Sequence, residues 1–104
     1  MVNIQGTDYP VVIVDDDLMT TTHKDNTIVG WWDYGTGIEV NERLQGDTKL
    51  PTLLHEIVHA MDDALNIMLS EHQTQLMAIG FLQLITANGG DVDWLRNMID
   101  TVEE

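Results

Sequence analysis

The spacing of apolar residues changes once along this chain of 104 residues, near Thr48. Ahead of that point the apolar runs are short and β-branched. Residues 8–14, Asp-Tyr-Pro-Val-Val-Ile-Val, predict a first strand bounded by Gly6 and the acidic run Asp15, Asp16, Asp17. Residues 18–26 predict a loop. Residues 27–34 predict a second strand, Gly35-Thr36-Gly37 a turn, and residues 38–40 a short third strand, so that the last two make a hairpin. The expected sheet is three-stranded and antiparallel.

Beyond Thr48 the period becomes helical. Leu54, Ile57, Val58, Met61 and Leu65 follow i, i+3, i+4, i+7 and i+11, one apolar stripe on a helix over about 48–66. Pro51 is tolerated near the first turn, where its missing N–H is not needed. Ser70 with Gln73 three residues on matches a capping box and opens a second helix that stops at Asn88-Gly89-Gly90, over 70–87. Asp91 looks like the N-cap of a last short helix, 91–102, through Trp94, Leu95, Met98, Ile99 and Val102. Strands over about 8–41 followed by three helices give one α+β domain, 1–104.

Composition narrows the chemistry. Hydrophobic residues are 43% of the chain, enough for a modest core. The chain has no cysteine, which excludes disulfides and thiolate metal sites, so a metal must be held by His, Asp or Glu. Eighteen acids against four Lys and Arg give a net charge of −14, a surface that repels nucleic acid and anionic lipid. No apolar run approaches a membrane span, and the first residues lack the basic and apolar regions of a signal peptide. The expectation is a soluble cytoplasmic protein without nucleic-acid or membrane partners.

His55-Glu56-Ile57-Val58-His59 is an H-E-x-x-H string on the first helix. Residues four apart lie one turn apart on the same face, so both imidazoles can reach one zinc ion. Glu56 projects beside them, where it can take a proton from a water on that ion. The string falls on the polar side of the helix with Asp62 and Asp63. It supplies two ligands, and catalytic zinc sites usually hold three. Glu71, opening the second helix, lines up with Ala78, Leu82 and Ile85 on the face turned to the core, and a carboxylate there needs a strong partner. His72 is the rival ligand, about 100° away around the helix. Gln75, one turn beyond Glu71, can hydrogen-bond a ligating imidazole.

His-Glu-Ile-Val-His-Ala at 55–60 and Ser-Glu-His-Gln-Thr-Gln-Leu-Met-Ala at 70–78 together resemble the ImmA/IrrE-like metallopeptidases, above all the short versions carried by phages. The resemblance implies a small zincin-like domain, with a strand hairpin ahead of the motif helix. It implies zinc ligated by His55, His59 and Glu71, with Glu56 as the base. Gln75 stands where the family often has Asn or Asp. The implied activity is hydrolysis of a peptide bond in a protein or peptide substrate, in the host cell cytoplasm if the chain is phage-encoded. Tyr34 and His23 are candidates for a second oxyanion donor, and the strand near 36–40 is a candidate to pair with an extended substrate if it lies at the sheet edge.

Several alternatives stay open beside this. The string can be a helix surface with two solvated histidines, the zinc site can be structural only, and Glu71 can simply favour the helix dipole. Met61, Met68, Met77 and Met98 read as core filler, and Asp15 to Asp17 as a solvated turn. Trp31 and Trp32 should face opposite sides of their strand. From a different class, a small protein of charge −14 can act as a nucleic-acid mimic that blocks a host DNA-binding protein.

Overall fold

Proline and glycine divide the first half of the chain into shorter pieces than its β-branched run implies. The computed structural model describes residues 1–44 and 48–100. β1 (Val2–Ile4) and β2 (Thr7–Tyr9) form an antiparallel ribbon. Its turn is Gln5-Gly6, both at positive φ (52° and 88°), as tight two-residue hairpin turns require. Pro10 has no N–H to continue that ladder, so the run expected as one strand over 8–14 changes partners there. β3 (Val11–Val14) pairs instead with β5 (Gly37–Asn41).

β3 and β5 are parallel, whereas β4 (Gly30–Asp33) and β5 form the expected antiparallel hairpin, and the order is β3-β5-β4. The sheet is therefore mixed rather than antiparallel throughout. A parallel pair needs a crossover, and α1 (Asp16–His23) supplies it where residues 18–26 were expected to loop. Three successive threonines hide this helix from an apolar-period reading. What forms it is the acidic start at Asp16 and Asp17, favourable at a helix N-terminus, and Met19, which is completely buried. The acidic run is thus a helix start, and Asp16 Oδ1 accepts a 2.7 Å bond from the buried Asn41 side chain.

The remaining elements are α2 (Lys49–Leu65), α3 (Glu71–Ala87) and α4 (Asp93–Asp100). Residues 101 and 102, which the expected last helix included, lie outside the described residues. The α+β order, strands and then the motif helix, a second helix and a short C-terminal helix, is as expected. Pro51 sits in the first turn of α2, and Ser70 and Gln73 form the capping box of α3, with Ser70 Oγ accepting from Gln73 N–H at 3.1 Å and Gln73 Oε1 accepting from Ser70 N–H at 2.8 Å. Asp91 Oδ1 accepts from Asp93 N–H at 2.7 Å ahead of α4.

α2 lies across the sheet. Its buried stripe is Leu50, Leu53, Leu54, Ile57 and Val58, packed with Ile38 and Val40 of β5, and the core is completed by Val2, Ile4, Leu95 and Ile99. Met61 and Met98 pack against this core, but Leu65, Met68 and Met77 are exposed and fill nothing. Trp31 and Trp32 do face opposite sides: Trp31 stacks on His23 of α1 and Trp32 turns to the α2 side.

Gly37 is at φ +79°, and a Cβ there would lie 2.5 Å from the Pro10 carbonyl oxygen, which accepts the Ile38 N–H at 2.9 Å. Gly37→Ala must strain the backbone and push β3 from β5. We expect it to lower unfolding stability by about 2 kcal/mol or more, read as a lower urea midpoint at unchanged m-value.

Candidate metal centre

His55 and His59 stand one turn apart on α2 with ring centroids 4.7 Å apart. The helix then ends abruptly. Asn66 takes the left-handed conformation (φ 55°), and the chain winds around the Asp62 carboxylate, which accepts from Met68 N–H at 2.6 Å and Leu69 N–H at 3.1 Å. Met68 adopts φ 70°, a strained value for a residue with a Cβ, and those two bonds to a charged acceptor offset the strain. The turn delivers Ser70 as N-cap, and Glu71 follows in the first turn of α3 with its side chain pointing back at α2.

Glu71 Oε1 lies 2.6 Å from His55 Nε2 and 3.2 Å from His59 Nε2. One ligand atom from each of the three residues lies within 4.8 Å of the others. Donors of a tetrahedral zinc ion, with bonds of about 2.0–2.1 Å, stand about 3.3 Å apart, so this grouping suits a small divalent cation with little rearrangement. His55 Nδ1 is 2.6 Å from Gln75 Oε1. An amide carbonyl oxygen only accepts, so Nδ1 donates to Gln75, and Nε2 is the ring atom that faces Glu71, the nitrogen left for a cation that takes the place of its proton. Burial acts to raise the Glu71 carboxyl, but the hydrogen bonds and charge of His55 and His59 outweigh it and hold it below its ordinary value.

Glu56 differs from its place on the polar side of a helical wheel: it is only 8% exposed. β4 closes over it. A Cβ on Gly30 would come within 2.8 Å of Glu56 Oε2 and of the Thr52 methyl, so only glycine lets the strand lie this close. Burial pushes the Glu56 carboxyl up to about 7, against the pull of His55 and His59 and with some help from Glu71.

Glu56 and Glu71 are shared by two cavities that form one groove between α2 and β4. One, of about 350 Å³, is lined by Ile28, Gly30, Thr52, His55 and Gln75; the other, of about 380 Å³, by Trp31, Trp32, His59 and Asp63. Asp63 Oδ2 accepts from Trp32 Nε1 at 2.6 Å and ties the strand to the helix. β4 is an edge strand and β5 the central one, so β5, the expected substrate-pairing strand, has no free side. The Asn41 N–H donates to the Val29 carbonyl at 2.9 Å, which sets the ladder phase: Val29, Trp31 and Asp33 point their backbone groups at β5, and Gly30 and Trp32 point theirs outward along the groove.

No known protein family, characterised protein or solved structure matches this chain. The resemblance to the ImmA/IrrE-like peptidases therefore rests on the residues of 55–60 and 70–78 alone.

Of the expected site residues, His55, Glu56, His59, Glu71 and Gln75 come together. His72 is exposed and outside the cluster. His23 is bonded to Glu39 at 2.8 Å and stacked on Trp31, so it is part-buried and lines neither cavity. Tyr34 packs edge-on against Trp32, 5.3 Å between centroids, and lines neither cavity. Gly30, Asp62 and Asp63 escaped the sequence reading. Asp62 had a detectable signal, an acid four residues before the Asn66 helix stop.

Asp62→Ala removes the acceptor that winds residues 66–69 into place. We expect a loss of about 1–3 kcal/mol in stability and a metal affinity weaker by about 10–100-fold, with Gln75→Ala giving the affinity loss alone, as read by competition with a chromogenic chelator.

Proposed function

We propose that this chain is a zinc-dependent metallopeptidase whose ligands are His55, His59 and Glu71 and whose general base is Glu56. The observation that carries the reading is the meeting of two imidazoles and a carboxylate from separate helices at the mouth of a groove that also holds a buried carboxylate. Two nitrogens and one oxygen suit zinc better than magnesium or calcium, which prefer all-oxygen sites. Three protein ligands leave a coordination position for reaction, as catalytic zinc sites do.

The zinc would supply Lewis acidity toward water and toward the scissile carbonyl. The chain supplies the rest. Glu56 takes the proton of the attacking water and delivers it to the leaving amine nitrogen, a role worth about 10²–10⁴-fold in rate. Gln75 keeps the His55 ring in one tautomer and one orientation. The outward N–H and C=O groups of Gly30 and Trp32 offer an extended peptide the hydrogen bonds of an added strand, which would lay it along the groove past Glu56. The walls formed by β4 and α2 hold Glu56 out of bulk water.

Elemental analysis and peptide-library digestion test this together. Wild type should carry about one zinc and cleave, His59→Ala should lose the metal, and Glu56→Gln should keep it while cleavage falls by at least about 10²-fold. Chelation should lower the melting temperature of the wild type by about 10 °C or more. Loss of zinc from Glu56→Gln would make Glu56 structural, a zinc protein that cleaves nothing would leave only a metal-stabilised domain, and indifference to chelator would end the metal reading.

A further inference from the structure

α3 is apolar on two sides but covered on one. Its Thr74 and Ala78 are buried, and Leu82 and Ile85 pack against the core. On the other side Leu76, Met77, Phe81 and Leu84 are 55, 36, 40 and 62% exposed. With about 100° per residue, these four and Gly80 form one stripe, roughly opposite Glu71 and Gln75. Isolated exposed apolar residues are ordinary, but a contiguous stripe on the order of 400 Å² is the scale of an interaction surface.

Gly80 marks what the stripe fits. A glycine inside a helix costs about 1 kcal/mol relative to alanine. Among the described residues nothing calls for it, since a Cβ there meets no atom within 4 Å. At the centre of an exposed apolar stripe, its missing side chain lets a second helix approach closely. Leu76 and Leu84 stand four residues either side of Gly80. An antiparallel pair of such helices crossing at Gly80 sets Leu76 of each against Leu84 of the other, the self-complementary pattern a two-fold axis demands.

Charge selects among occupants. From Gln73 to Ala87 there is no Asp, Glu, Lys or Arg, in a chain of net charge −14. A basic partner would be met by carboxylates, and none is in the stripe. A helix lying on a lipid surface would carry Lys or Arg along its flanks, and α3 has neither. Two copies of so acidic a chain can touch only through a neutral face, and this helix presents one.

We propose that two copies of this chain associate through the Leu76, Met77, Gly80, Phe81, Leu84 face of α3, as an antiparallel two-fold helix pair that leaves both metal grooves open. The buried area, on the order of 800 Å² in total, is below that of stable specific pairs and fits a weak, reversible dimer. Because like charges oppose it and salt screens them, association strengthens as salt rises.

Sedimentation equilibrium of the intact chain from about 1 to 100 μM, in about 0.05 M and 0.5 M NaCl, tests this independently of any peptidase activity. The wild type should dimerise, at least about tenfold more tightly in the higher salt. Leu84→Glu and Gly80→Leu both point into solvent in the single chain and should keep its circular dichroism and melting temperature, yet weaken the dimer by at least about tenfold. A wild type that stays monomeric throughout, a dimer that tightens as salt falls, or one that persists in both variants overturns the proposal.

Discussion

A carboxylate held between two imidazoles organises this molecule. Glu71 reaches His55 and His59 only because the chain between the helices is wound on one side chain, Asp62, and because the Ser70 and Gln73 box fixes the residue at which α3 begins. The tolerance is small. Starting α3 one residue later would rotate every side chain on it by about 100° and carry Glu71 away from both rings. The strained Met68 and the left-handed Asn66 belong to the same device, since strain persists where surrounding bonds over-determine the backbone.

The same groove concentrates negative charge, and among the described residues that line it there is no Lys or Arg. Glu56, Asp63 and Glu71 all line it, in a chain whose net charge is already −14. Three carboxylates and two imidazoles in a partly enclosed space favour any bound cation, and the nitrogen donors favour one with an affinity for imidazole. Glu56 is the member that gains least from water. Its burial depends on Gly30, because a side chain at that point of β4 would meet the carboxylate oxygen at 2.8 Å. The strand that walls the groove and the acid behind it thus constrain each other, and a peptide added to the outer edge of β4 would pass directly over both.

Much of this was legible in the sequence, and the reasons are local. The helix start at Ser70, the stop at Asn88-Gly89-Gly90 and the i, i+4 histidines are short-range features, and each falls where its residues put it. That Glu71 rather than His72 would lie beside the two histidines was also readable, because helical spacing distinguishes the two by direction. What failed was whatever depended on pairing at a distance. Pro10 decides that Tyr9 and Val11 serve different ladders, and Tyr9 with Val2 looks no different from Tyr9 with a later strand until the chain is folded. α1 was hidden because Thr20, Thr21 and Thr22 are poor helix formers that tertiary packing of Met19 overrules. Glu56 was placed on a polar surface because a helical wheel does not show a strand lying over it.

α3 joins the two halves of the argument. Its inner side seats on the core through the buried Thr74 and Ala78 and the packed Leu82 and Ile85, with the polar contacts of Glu71 and Gln75 added at its N-terminal end. A partner that covered its outer face would stiffen this helix further. A cation that drew Glu71 to the two imidazoles would stiffen it as well. If both events order the same helix, linkage requires that each strengthen the other by the same factor. The neutral stripe and Glu71 lie on opposite sides of one element, so a second copy and an ion that both bound would act on the same helix without touching.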